Sequence, residues 1–179
     1  MSRIGRAPIT IPEGVKVDIA GAKVTVQGKL GTLSINAVPS ISVKIEDGKI
    51  LCTRRSEDKS ERALHGLTRA LIMNMVTGVT KGFEKAVVIN GVGYKAAVSG
   101  KKLNLSVGYS HPVEIVAPEG ISFVQVAPLE ILIKGIDKAL VGQVAAQIKA
   151  VRPIEPYHGY GIRYKDEAVV IKEGKKASK

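Results

Sequence analysis

The sequence predicts an α+β protein of two tandem duplicated domains, each an antiparallel β-sheet packed on one face by an α-helix. Three observations predict it. Short runs with strict apolar–polar alternation lead into a stripe of apolar residues at helical spacing. The same order of strands then helix occurs twice along the chain. A single offset of 79 positions superposes the two halves, carrying Lys16 onto Lys95, Gly21 onto Gly100, Val24 onto Leu103, Val26 onto Leu105 and Asp58-Lys59 onto Asp137-Lys138. The boundary is expected near Thr80-Lys81-Gly82, giving repeats over 1–82 and 83–179.

In the first repeat "KVTVQ" (23–27), "TLSIN" (32–36) and "SVKIE" (42–46) alternate as half-buried strands do. Asp47-Gly48, between "SVKIE" and "KILCT", suits a two-residue hairpin turn because both residues tolerate positive φ. Ser56 or Asp58 is placed to cap a helix. Leu64, Leu67, Leu71 and Met75 follow as its expected inward stripe, with Arg62 and Arg69 off it and His65 expected at its boundary. Gly78 and Gly82 are expected to end the helix.

In the second repeat "KLNLS" (102–106), "VEIVA" (113–117), "ISFVQV" (121–126) and "LEILIK" (129–134) read as strands. "NGVGYKA" (90–96) reads as a turn or bulge, since it lacks the third glycine and the helix of a dinucleotide fingerprint. Asp137 opens a helix that carries Leu140, Val141, Val144, Ala145, Ile148 and Val151. Pro153 and Pro156 forbid its continuation, and "IRY" (162–164) begins a short strand.

Charge is the strongest compositional signal. The 179 residues carry 27 basic and 16 acidic side chains, a formal net charge of +11. Such a surplus favours a polyanionic partner, because neutralised phosphates release condensed counterions. It is unevenly spread: residues 1–82 carry +6, residues 83–148 carry +1, and residues 149–179 carry +4. One cysteine, Cys52, permits no internal disulfide and fits a reducing compartment. No apolar run approaches the roughly 20 residues of a membrane span, and the first residues have no apolar signal core, so a cytoplasmic protein is expected.

Catalytic patterns are missing. His65, His111 and His158 have no paired ligand spacing, no G-x-S-x-G elbow occurs, and the acids are scattered beside lysines. An enzyme would need a site assembled from distant residues, and a module for an acidic protein partner stands as a second rival to nucleic-acid binding.

The segment "RPIEPYHGYGIRYKDE" (152–167) concentrates Tyr157, Tyr160 and Tyr164 in a chain with five tyrosines, two phenylalanines and no tryptophan. Prolines stop the helix, Gly159 and Gly161 allow close backbone approach, and arginine forks match phosphates while rings stack on unpaired bases. Tyr160, between glycines, is expected to be exposed, and Tyr164 to fold back on the domain. Arg3 and Arg6 near the start and "IKEGKKASK" (171–179) at the end are further basic segments.

These residues resemble the bacterial large-subunit ribosomal protein six family. The likeness covers essentially the whole chain: "SRIGRAPITIPEGV", "GKLGTL", "NGVGYKA", "VGYSHPV" and "PIEPYHGYGIRY", the last matching a signature "PEPYKGKGIRY". The resemblance implies a structural, non-enzymatic constituent of the large subunit with no cofactor and no small-molecule substrate. It implies that the chain binds large-subunit rRNA near the factor-binding region, with neighbouring ribosomal proteins near the stalk base as partners. Carried over residue by residue, it implies contact by Pro156, Tyr157, Gly159, Gly161, Ile162, Arg163 and Tyr164. Arg152, Lys165, Lys172, Lys175, Lys176, Arg3 and Arg6 are added as basic candidates. His158 and Tyr160 stand where the signature carries lysine, so the mode of contact at those two positions is open.

Overall fold

The computed structural model describes residues 3–175, and the chain divides into two compact units. One runs to Phe83 and takes in Ile136–Lys138; the other comprises Glu84–Gly135 and the residues from Ala139 onward.

The first unit begins with a single helical turn, α1 (Arg3–Arg6), and a two-residue strand, β1 (Ile9–Thr10). Strands β2 (Lys16–Ala20), β3 (Lys23–Gly28) and β4 (Gly31–Asn36) follow, then β5 (Ile41–Glu46), β6 (Lys49–Arg54) and the helix α2 (Lys59–Thr80). Its strands form two three-stranded antiparallel sheets, β2-β3-β4 and β1-β6-β5, rather than one. Alternation reveals which side chains point inward, but it is blind to which strands pair; hence the split was not visible beforehand. The hairpin between β5 and β6 turns at Asp47 (φ 48) and Gly48 (φ 69), the paired positive φ of a type I′ turn. Val24 and Val26 from one sheet and Ile9, Ile41 and Ile50 from the other share a core with Ile72, Met75, Val76 and Val79 of α2.

The buried face of α2 differs from the expected stripe. Its buried residues are His65, Thr68, Ile72, Met75, Val76, Gly78 and Val79; of the expected stripe, Met75 is buried and Leu64 packs partly buried against the core, while Leu67 is 51% exposed. His65, expected at the boundary, is buried. Its Nε2–H donates to the Cys52 carbonyl at 2.8 Å, and Arg54 Nη1 donates to its Nδ1 at 3.2 Å. A carbonyl can only accept and a guanidinium can only donate, so these partners fix the tautomer. A satisfied imidazole costs little to bury, which is why a polar residue leads the inward face. Asp58 is the N-cap residue, as one of the two expected, but its side chain makes no capping bond; the Glu61 carboxylate instead accepts the Ser56 N–H at 2.7 Å. Gly78 lies inside the helix, where a Cβ would collide with the Ile136 carbonyl. Gly82 (φ 76) ends it, its N–H donating to the Gly78 carbonyl at 3.0 Å.

The second unit repeats the plan. From the end of β7 (Phe83–Asn90) it runs through β8 (Lys95–Ser99), β9 (Lys102–Ser106), β10 (Val113–Val116), β11 (Ile121–Ala127), β12 (Glu130–Gly135), α3 (Lys138–Val151) and β13 (Gly161–Tyr164). Its sheets are β10-β9-β8 and β11-β12-β7-β13. Equivalences reach atomic detail. Gly21 and Gly100 turn with φ 62 and 60, and both helices begin on the superposed lysines, Lys59 and Lys138. The Ala37 N–H bonds the Ala22 carbonyl at 2.7 Å, as the Ala117 N–H does that of Lys101 at 2.7 Å. Val26 pairs with Leu33 where Leu105 pairs with Val113, so the second copy has one residue more in that connection. The expected inward residues Val141, Val144, Ala145 and Ile148 are the buried ones of α3. Two features have no counterpart in the first unit: the loop after α3 and strand β13.

Candidate nucleic-acid interface

The loop is built by the two ends that flank it. Arg152 follows α3, and Pro153 forms a parallel bridge to Ile162. The Ile162 N–H donates to the Arg152 carbonyl at 2.8 Å, and the Glu155 N–H to that of Tyr160 at 2.9 Å. Two cross-bonds at the neck give the loop a fixed shape. Gly161 makes that neck possible: its φ is 140, and a Cβ there would lie 2.5 Å from Ile154 Cα. Asn90 Nδ2 holds the Gly159 carbonyl at 2.8 Å, and the Lys172 N–H caps that of Pro156 at 2.7 Å.

At the tip, Tyr157 is 55% exposed and Tyr160 38%. The rings of His158 and Tyr160 stack with centroids 5.5 Å apart and planes 16° from parallel. Glu155 Oε1 accepts both the backbone N–H of His158 at 3.0 Å and its Nδ1–H at 2.9 Å, which holds the imidazole against Tyr160.

Across from this stack stand two tyrosines from other turns. Tyr94 closes the turn after β7, with its N–H on the Gly91 carbonyl at 3.3 Å. Tyr109 comes from the connection that is one residue longer in this copy, and its hydroxyl donates to the Val151 carbonyl at 2.8 Å. The Arg152 guanidinium lies 5.2 Å from the Tyr109 ring centre. Interaction with the hydroxyls of Tyr109 and then Tyr94 raises the Arg152 pKa above its already high ordinary value. Together Tyr94, Tyr109, Arg152, Pro153, Glu155, His158 and Tyr160 line an open cleft of about 410 Å³.

The candidate residues therefore separate. Arg152, His158 and Tyr160 meet in the cleft, and Pro156 and Tyr157 are exposed on the same loop. Gly159 and Gly161 are buried and shape the backbone. Ile162 is wholly buried, so its side chain belongs to the core. Arg163 is half-buried and donates through Nη1 to the Glu167 carbonyl at 3.1 Å. Tyr164 folds back, its ring lying 3.8 Å from Lys85 Nζ and 4.8 Å from Lys149 Nζ. Lys165 pairs with Glu130 at 2.7 Å. Lys172 and Lys175 are exposed, and so is Arg6, which belongs to the other unit. Lys176 and the side chain of Arg3 lie outside the described residues. Tyr94 and Tyr109 were missed as site residues. The available signal was that all five tyrosines, at 94, 109, 157, 160 and 164, fall in the second repeat.

The scaffold defines the class: an α+β protein made of two tandem copies of one sheet-and-helix plan. Among the described residues no cluster of three His, Cys, Asp or Glu side chains could hold a metal, and no helix is long and apolar enough to cross a membrane. Comparison with known proteins identifies the family: residues 11–82 and 90–165 each match the family described as Ribosomal protein L6. The chain is also 54% identical over 176 residues to the large ribosomal subunit protein uL6 of Variovorax paradoxus, covering 98% of this chain and 99% of that one. It is 53% identical over 180 residues to the uL6 proteins of Mycoplasma capricolum and Caldanaerobacter subterraneus, with both chains covered in full. The chain belongs to the ribosomal protein L6 family. It is a structural protein of the large ribosomal subunit, not an enzyme.

Proposed function

We propose that this chain binds large-subunit rRNA through the loop 152–160 and the cleft beside it, near the base of the stalk, with neighbouring ribosomal proteins as further partners. The observation that carries the reading is Arg152. Its guanidinium is oriented by Tyr109 beside the exposed His158–Tyr160 pair, on a loop whose neck is closed by two backbone hydrogen bonds. A cation held in place loses less side-chain entropy on meeting a phosphate than a free one does. Lys172 joins it, because its backbone is tied to Pro156 of the loop. RNA duplexes bury their base edges in a narrow groove, so backbone and 2′-hydroxyl contacts dominate such docking.

Arg152→Ala is expected to weaken binding of an rRNA fragment and to lower the slope of log affinity against log salt by about one phosphate contact. Filter binding across a salt series measures both. Unchanged affinity and slope would remove the loop from the docking surface. Arg163→Ala, whose guanidinium serves the Glu167 carbonyl, is expected to lower stability rather than that slope. Crosslinking within assembled large subunits tests the position at the stalk base; crosslinks confined to a remote region would overturn it.

A further inference from the structure

The cleft holds something that a phosphate site does not. Glu155 lines it beside Arg152, and a carboxylate repels a phosphate. Its Oε1 is occupied by the two N–H groups of His158, while its Oε2 makes no hydrogen bond among the described residues. The remaining lining is mostly rings: Tyr94, Tyr109, His158 and Tyr160. Planar walls favour a flat guest, and a free carboxylate oxygen among them favours a guest with an N–H group to donate. A volume of about 410 Å³ lies within the range of clefts that enclose small planar ligands.

We infer that the cleft receives one unpaired nucleobase carrying an exocyclic amino group, stacked on its rings and donating that group to Glu155 Oε2. The inference rests on the RNA-binding reading above and says which part of an RNA enters. Adenine, cytosine and guanine each carry such a group. Uracil does not: its one ring N–H lies between two carbonyl oxygens, which the carboxylate repels. The His158–Tyr160 stack then has a function of its own at two positions where lysines would have supplied charge. It forms one wall of a base site, and Glu155 both orients that wall and reads the base.

The test uses the full chain and hexa-adenylate carrying one 2-aminopurine, whose fluorescence is quenched on stacking. Binding is expected to quench it. Unlabelled hexa-adenylate and hexacytidylate are expected to displace the probe at about tenfold lower concentration than hexauridylate, at fixed salt. Glu155→Gln is expected to bring that ratio towards one, and Tyr109→Leu to remove the quenching. Equal competition by hexauridylate against the unaltered protein would overturn the inference, and so would quenching that survives both Tyr109→Leu and Tyr160→Leu. Filter binding of an rRNA fragment is read in parallel. Tight rRNA binding with equal competition sinks the base site alone, whereas absence of rRNA binding sinks the broader reading and the base site with it.

Discussion

Gly161 shows how much a single residue contributes to this loop. Its backbone has φ 140, and a Cβ would strike the backbone of Ile154 at 2.5 Å. Gly161→Ala is therefore expected to destabilise the second unit by about 1–3 kcal/mol and to loosen the neck. Denaturant titration checks the stability, and a midpoint equal to that of the unaltered chain would refute the steric argument. Glu167 makes a second residue-scale prediction. Hydrogen bonds from Lys149 and from the Tyr164 N–H hold its carboxyl below the ordinary 4.5. The unfolded chain then binds this proton more tightly than the folded one. The stabilisation is complete above pH 4.5 and is lost as pH falls through the lowered value. Glu167→Gln is expected to flatten this acid dependence of the unfolding midpoint, while an unchanged acid limb would show that the carboxylate is not its source.

At the scale of elements, α2 separates pattern from packing. Of the stripe Leu64, Leu67, Leu71 and Met75, Met75 is buried and Leu64 packs partly against the core, yet Leu67 faces solvent and the helix turns His65, Thr68 and Ile72 inward. The reason is polar. The Cys52 carbonyl, with the Arg54 guanidinium behind it, accepts only one orientation of the helix, because His65 must reach both. Apolar periodicity cannot register a histidine as an inward residue. Leu67→Ser is accordingly expected to change stability by less than about 0.5 kcal/mol, and Ile72→Ala to cost about 2–5 kcal/mol. Thermal melts of the two variants decide it; comparable losses would mean that the expected stripe is the packed one. The loop after α3 was more readable. Prolines and glycines stated where the helix stops and where the backbone turns, because they act on their own φ and ψ. Arg163 and Lys165 were not readable in the same way. Arg163 is held by the Glu167 carbonyl four residues on, a backbone acceptor that charge patterning does not register, and Lys165 pairs with the Glu130 carboxylate 35 positions away, at a distance set by the sheet.

Across the whole molecule, duplication explains both the economy of the fold and its asymmetry. Two copies of one plan share strand positions, turn glycines and helix starts, so an offset in the sequence already revealed them. The copies differ where the second gains a residue before Val113, a loop after α3 and the strand β13. All five tyrosines lie in that copy, and Tyr94, Tyr109 and Tyr160 line one cleft with Arg152. A salt series on the complete protein is the measurement proper to this scale. Its net charge of +11 is expected to give a steep dependence for RNA, of which Arg152 accounts for about one phosphate.

By itself the sequence determined the α+β class, the repeat, the absence of familiar catalytic motifs, the basic balance and the place where the second copy departs from the first. Each of these is carried by local pattern: alternation, helical spacing, turn residues and charge count. The tertiary structure decided which strands share a sheet, which face of α2 is buried, and which candidates meet. Tyr94, Tyr109 and Arg152 are far apart along the chain, and only the pairing of β7, β9 and β13 with their neighbours brings their turns to one cleft. Local preferences act over a few residues. Strand pairing and core packing act between residues dozens of positions apart, and the site is made by those.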